Sequence, residues 1–125
     1  MNTQAFLDLE ACFRALDGLV VRSRSEKVLQ AAIHELLTEA GLDLDVIREA
    51  SLTERDRVDF LVRSVALEVK VDGSPNAVLR QLHRYAQSDR VGAILLVSTR
   101  ARLTQLPCSL NGKPVRALHL IGGAF

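Results

Sequence analysis

The chain has 125 residues, enough for one domain with a real core. Apolar residues make up 48% and charged residues 25%, which excludes the disordered class, and an aromatic content of 4% with no Trp calls for an aliphatic core. With 16 Lys and Arg against 15 Asp and Glu, net charge neither favours nor excludes a nucleic-acid partner, since a cleft can be locally basic on a nearly neutral protein.

From Thr3 to about Leu19, the residues Phe6, Leu9, Cys12, Phe13 and Leu16 recur at helical spacing, with Asp17-Gly18 as a stop. A second helix is predicted from about Ser25 to Ala40, with Val28, Leu29, Ala32, Ile33, Leu36 and Leu37 on one face and Gly41 as its cap. Leu44 to Ser51 reads as a weak, edge-like strand. Arg57 to Arg63 and Val65 to Val71 are stronger and close enough to form a tight antiparallel pair. Asp72-Gly73-Ser74-Pro75 breaks the strand and opens a helix to about Ser88, with Ser74 as N-cap and Pro75 in the first turn. Val91 to Ser98 is a near-continuous apolar run, as in a strand covered on both faces. Arg102 to Leu106 suggests a short helix, Val115 to Ile121 a last strand, and Gly122-Gly123 ends the regular structure.

This order predicts a single α/β domain over 1–125, with a mixed central β-sheet flanked by helices. Its parts are an N-terminal helix (1–20), a core (23–98) and a C-terminal strand region (99–125). The helix between Val71 and Val91 lets the strands on either side of it lie parallel. Cys12 and Cys108 have no metal-ligand spacing, and neither do His34, His83 and His119. Met1-Asn2-Thr3-Gln4 lacks the basic and apolar regions of a signal peptide, and no apolar run is long enough to span a bilayer. The expectation is a cytoplasmic, intracellular protein without a membrane partner.

The chemistry concentrates in Arg57-Val58-Asp59-Phe60-Leu61-Val62 and Val65-Ala66-Leu67-Glu68-Val69-Lys70-Val71. A two-residue period puts Leu67, Val69 and Val71 on one face and Glu68 and Lys70 on the other, beside Ala66. In the first strand Val58, Phe60 and Val62 are expected to share a face, with Asp59 opposite. Pairing of the strands then brings Asp59 toward Glu68 and Lys70. Two carboxylates held together in an apolar strand pair repel, and a hard cation such as Mg²⁺ resolves the conflict. A metal-bound water beside a Lys is a nucleophile suited to phosphodiester cleavage.

The pattern Asp59 … Glu68-x-Lys70 resembles the signature of the PD-(D/E)XK nuclease superfamily, with Val58 where the motif's name has Pro. The order of elements from about Ser23 to Ser98 is similar to that family's core. The resemblance implies a restriction-endonuclease-like fold and a DNA substrate. It implies Mg²⁺ (or Mn²⁺) held by Asp59, Glu68 and the Val69 carbonyl, with Lys70 assisting the attacking water. Gln81 and Tyr85 form a Q-x-x-x-Y pattern similar to that of RecB-type exonucleases, and Glu26 stands where Holliday junction resolvases often carry an acidic residue facing the metal. Arg22, Arg24 and Lys27 near the second helix start, and Arg80, Arg84 and Arg90 around the third helix, suit phosphate oxygens, with Tyr85 as a further nucleic-acid contact. A structure-selective deoxyribonuclease of repair or recombination, working as a homodimer, is the expectation.

Plainer readings stand beside these. E-x-K on a strand is common as a weak surface pair. Ser23-Arg24-Ser25-Glu26 is also an S-x-x-E capping box, in which Glu26 bonds back to the Ser23 amide. Gln81 reads equally as an exposed helix residue and Tyr85 as core, on a buried stripe with Val78 and Leu82. A catalytically inactive DNA-binding or scaffold module of the same fold is the alternative function.

Overall fold

A computed structural model describes residues 2–122. Met1 and Gly123 to Phe125, which the expected 1–20 and 99–125 boundaries and the Gly122-Gly123 stop take in, lie outside the described residues. Three helices pack on a six-stranded mixed sheet, a mixed α/β fold.

Helix α1 (Thr3–Leu16) starts on Asn2, whose side chain accepts from the Ala5 amide, and helix α2 (Glu26–Glu39) starts on Ser25, which accepts from the Val28 amide. Helix α3 (Pro75–Tyr85) starts on Ser74 with Pro75 in its first turn, as its sequence predicts. Both α1 and α3 stop three residues before the expected ends, because Gly18 turns to φ +92° after one and Ala86 caps the other. The short helix expected at Arg102 to Leu106 is a 3₁₀ turn over Ala101–Thr104.

The strands are β1 (Val46–Ser51), β2 (Arg57–Val62), β3 (Val65–Lys70), β4 (Ala93–Ser98), β5 (Ser109–Leu110) and β6 (Lys113–His119), in the order β1-β2-β3-β4-β6-β5. β1 and β2 are antiparallel, as are β2 and β3, whereas β4 lies parallel to both β3 and β6. All six residues of β4 are buried, which its apolar sequence demands. β5 is a short strand that the sequence reading missed. Leu110 pairs with Lys113 around Asn111-Gly112, both at positive φ (51° and 75°), the residue pair that favours a two-residue hairpin.

Two cores lie on opposite faces of the sheet. Leu9, Cys12 and Leu16 of α1 and Leu29, Ile33 and Leu37 of α2 cover Phe60, Val62, Leu67, Val69, Leu95 and Val97. Val78, Leu82 and Tyr85 of α3 cover Leu61, Ala66, Ile94 and Leu96 on the other side. One expected face is wrong. Val58 packs with the α3 core while Phe60 and Val62 pack with the α1–α2 core, so side-chain alternation along β2 breaks at Asp59. The same break crosses to β1, where Glu49 takes φ +52° and Ala50 belongs to the α3 core. A left-handed residue in a strand turns the following side chain to the other face, and a period of two read from sequence has no means of seeing it.

Gly92 ties α1 to the β2–β3 turn. Its amide donates to the Ser64 carbonyl (2.8 Å), and a Cβ there would lie 2.9 Å from Ala5 Cβ and 2.8 Å from Ser64 Oγ. The Ser64 hydroxyl can rotate away, but the Ala5 methyl moves only with its helix. Gly92→Ala is therefore expected to destabilise the fold by about 1–3 kcal/mol, read as a lowered urea midpoint at unchanged slope. An unchanged midpoint would show that α1 is free to shift outward.

Candidate active site

The β2–β3 ladder runs Val62↔Val65, Leu61↔Ala66 and Phe60↔Leu67, and stops there. Beyond it the strands part, and side chains take over from backbone carbonyls. The Asp59 amide donates to Glu68 Oε1 (3.0 Å), while the Val69 amide donates to Asp59 Oδ2 (2.8 Å). Each carboxylate thus caps an amide of the opposite strand. Such charge-assisted bonds are stronger than neutral ones.

Lys70 completes the group, its Nζ 3.2 Å from Glu68 Oε2. Glu68 is only 3% exposed, so this pair is no solvated surface bridge of the kind an E-x-K strand might carry. Tyr85 approaches from α3, with its hydroxyl 3.1 Å from Glu68 Oε2 and 3.0 Å from the Arg57 carbonyl oxygen. A phenol has one hydrogen and here faces two acceptors. The conflict disappears when Glu68 is protonated, because Glu68 then donates to the Tyr85 oxygen and Tyr85 donates to Arg57.

Electrostatics point the same way. Burial, and then the Asp59 charge, push the Glu68 carboxyl up to about 7 against the pull of Lys70. Burial also raises Asp59, opposed by its bond from the Val69 amide, and Asp59 is the less enclosed of the two. Both carboxyls are therefore held above the ordinary carboxylate range, each chiefly by burial. Glu26, the first residue of α2, is raised by burial and then by the nearby Asp59, with Lys70 opposing. Burial and the Glu68 charge raise the Tyr85 phenol.

Asp59, Glu68 and Lys70 therefore come together, and Glu26 stands within reach of their charges. The Glu26 capping box does not form as expected. Ser25 is the N-cap, and the Ser25 amide donates to Ser23 Oγ (3.1 Å), which leaves Glu26 in the first turn. Val69 enters through its amide while its side chain is buried beneath α1 and α2. Gln81 is half-buried on α3 and makes no hydrogen bond to the group among the described residues. Tyr85 is corrected as a nucleic-acid contact: it is fully buried, and its hydroxyl is turned inward to Glu68.

Arg24, Lys27 and Arg80 are exposed; Arg84 bonds Asp56 (3.1 Å) and Arg90 the Ser51 carbonyl (2.7 Å). Glu49 was missed. It sits in a weak edge strand with no motif around it, yet its charge raises both Asp59 and Glu26. The hydroxyl of Tyr85 did leave a signal, because a buried phenol needs a polar partner and the facing strand carries few. Comparisons with protein-family models, curated proteins and solved structures gave no match for this chain.

A pH dependence follows from the raised Glu68. The unfolded chain releases that proton near 4.5 and the folded protein near 7, so the folded state binds more protons between these values. Its stability must then fall as pH rises through that window. With EDTA present, the wild type is expected to lose a few kcal/mol between about pH 5 and about pH 8, and Glu68→Gln to flatten the profile. Equal slopes in the two proteins, measured by urea unfolding, would place the proton elsewhere.

Proposed function

We propose that this chain is a divalent-metal-dependent deoxyribonuclease with a restriction-endonuclease-like arrangement, acting selectively on DNA structures in repair or recombination. The observation that carries the reading is the opening between β2 and β3, where Asp59, Glu68 and Lys70 meet inside an otherwise aliphatic sheet. A fold needs no such group for stability, since apolar side chains of similar size would avoid the desolvation.

The donor set suits a hard cation. Asp59 and Glu68 offer carboxylate oxygens, and Glu26 and Glu49 add negative charge nearby. Asp59 and Glu68 with several waters would make a shell of the kind Mg²⁺ prefers, and among the described residues no three His, Cys, Asp or Glu side chains stand together as a metal group. When bound, Mg²⁺ or Mn²⁺ would polarise a phosphoryl oxygen and acidify a water. Lys70 holds its ammonium beside Glu68, where it can orient that water and stabilise developing charge. Tyr85 meets the same Glu68 oxygen, Oε2, as Lys70 does. The exposed Arg24, Lys27 and Arg80 are suited to phosphate oxygens of the substrate. Cutting both strands with one site per chain calls for two copies, so the proposal includes a homodimer.

A second reading, an inactive DNA-binding or scaffold module, has one observation in its favour: both oxygens of Glu68 already have protein partners. Cleavage of linear, nicked and four-way-junction DNA separates the two. Cutting is expected with Mg²⁺ or Mn²⁺, none in EDTA, and a loss on the order of 10²-fold or more in Lys70→Ala with DNA affinity kept. Absence of cutting, with equal DNA binding by both proteins, would favour the inactive module.

A further inference from the structure

Away from the candidate active site, an open groove of about 510 Å³ runs between α3 and the chain returning to β5. Leu79, Pro107 and Leu110 supply its apolar lining, and Arg80, His83 and Arg84 its polar part. Leu110 rests on the α3 core, so the apolar lining continues that core to the surface. Arg84 is met by Asp56 (3.1 Å), whereas the exposed Arg80 guanidinium makes no hydrogen bond or ion pair among the described residues. Such a groove suits an apolar side chain with an acid beside it.

The same chain carries such a pair. Leu44 is 94% exposed, the most exposed of the large apolar side chains described. It is the middle residue of a 3₁₀ turn, Asp43–Asp45, that is fastened on both sides. Before the turn, Leu42 packs against the α1–α2 core, and its amide donates to the Leu37 carbonyl (2.9 Å). At its far end, the Asp45 carboxylate accepts from Arg63 Nε and the Asp45 carbonyl from the Arg63 amide, both at 3.0 Å. Asp45 is thereby neutralised, but the exposed Asp43 carboxylate has no partner among the described residues. A single exposed Leu is ordinary on a protein surface. A Leu held out on a fastened turn beside an unpaired acid complements the groove in both polarity and sign.

We infer that Leu44 and Asp43 of one copy dock in the α3 groove of a second copy. Leu44 meets Leu79, Pro107 and Leu110, and Asp43 meets Arg80. Knob and groove lie on opposite faces of the sheet, because Leu42 packs with the α1–α2 core and Leu110 with the α3 core. They also adjoin opposite edges, β1 and β5. The knob of one copy therefore points away from its own groove, and the contact runs head to tail into a ring or a chain. A contact this small is weak and shows at high concentration. The inference does not rest on the nuclease reading; where both hold, substrate phosphates compete with a neighbouring copy for Arg80.

The test is sedimentation of the full chain over a concentration series up to about 1 mM. The mean mass of the wild type is expected to climb past two copies. Leu44→Ser, at a side chain that its own fold leaves in water, is expected to weaken association about ten- to a hundredfold at an unchanged urea midpoint. Arg80→Glu is expected to weaken it too, and Asp43→Arg added to Arg80→Glu to restore it, because the signs are then exchanged on both partners. Leu44→Ser mixed with Arg80→Glu is expected to give pairs that grow no further, since one brings only a groove and the other only a knob. A mass that stays at one copy throughout would overturn the inference and leave the groove to a different acidic partner or to DNA. A mass that stops at two copies in every variant, or climbs equally without Leu44, would place the interface elsewhere and overturn it as well.

Discussion

The exchange of carboxylates across the parted strands is the interaction on which the rest depends. If β2 and β3 stayed paired past Phe60 and Leu67, the Asp59 and Val69 amides would bond to backbone carbonyls and both acids would be left without donors. Burying a carboxylate without donors costs several kcal/mol, so such a sheet would select against acids there. Parting the strands turns the liability around. The freed amides need acceptors, the acids need donors, and each requirement meets the other.

The distribution of bulk around the opening follows from it. On the closed side, β4 is buried on both faces and joins the two cores. On the open side, α2 begins at Glu26, with its N-terminal dipole beside the acids, and α3 sends Tyr85 back under Glu68. Glu49 in the left-handed region costs about 1–3 kcal/mol of backbone strain, and it stands across β1–β2 from the point where alternation breaks. Strain of this kind persists where neighbouring structure over-determines it, and here the residues flanking Glu49 and Asp59 are paired on both sides as Arg48↔Phe60 and Ala50↔Val58.

Much of this was legible in the chain. Val-rich runs with period two, a Ser-Pro helix start and a wholly apolar strand marked the elements, and Asp59, Glu68 and Lys70 stood out as charges where aliphatics were expected. The reading failed where a local geometry is decided by distant partners. Val58 lies on the α3 face where alternation breaks opposite the left-handed Glu49, and Tyr85, read rightly as core but wrongly as a nucleic-acid contact, has its hydroxyl set by an acceptor on β3. The groove along α3 had no motif at all, since it depends on the chain returning through Pro107 and Leu110 beside Leu79. The Asn111-Gly112 hairpin, by contrast, carried its signal openly and was passed over because its first strand, β5, is only two residues long.

The left-handed Glu49 has one more effect, far from any chemistry. A sheet edge offers unpaired amides and carbonyls to any other extended chain, and β1 is one of the two edges here. Its outward side carries the half-exposed Ile47, an invitation to such pairing. Because Glu49 interrupts the extended run after Arg48, no flat stretch longer than Val46 to Arg48 is left to serve as a template. The opposite edge, β5, is only two residues long. On the β1 border, the kink beside the acids thus also shortens the template that a strand from another molecule could use.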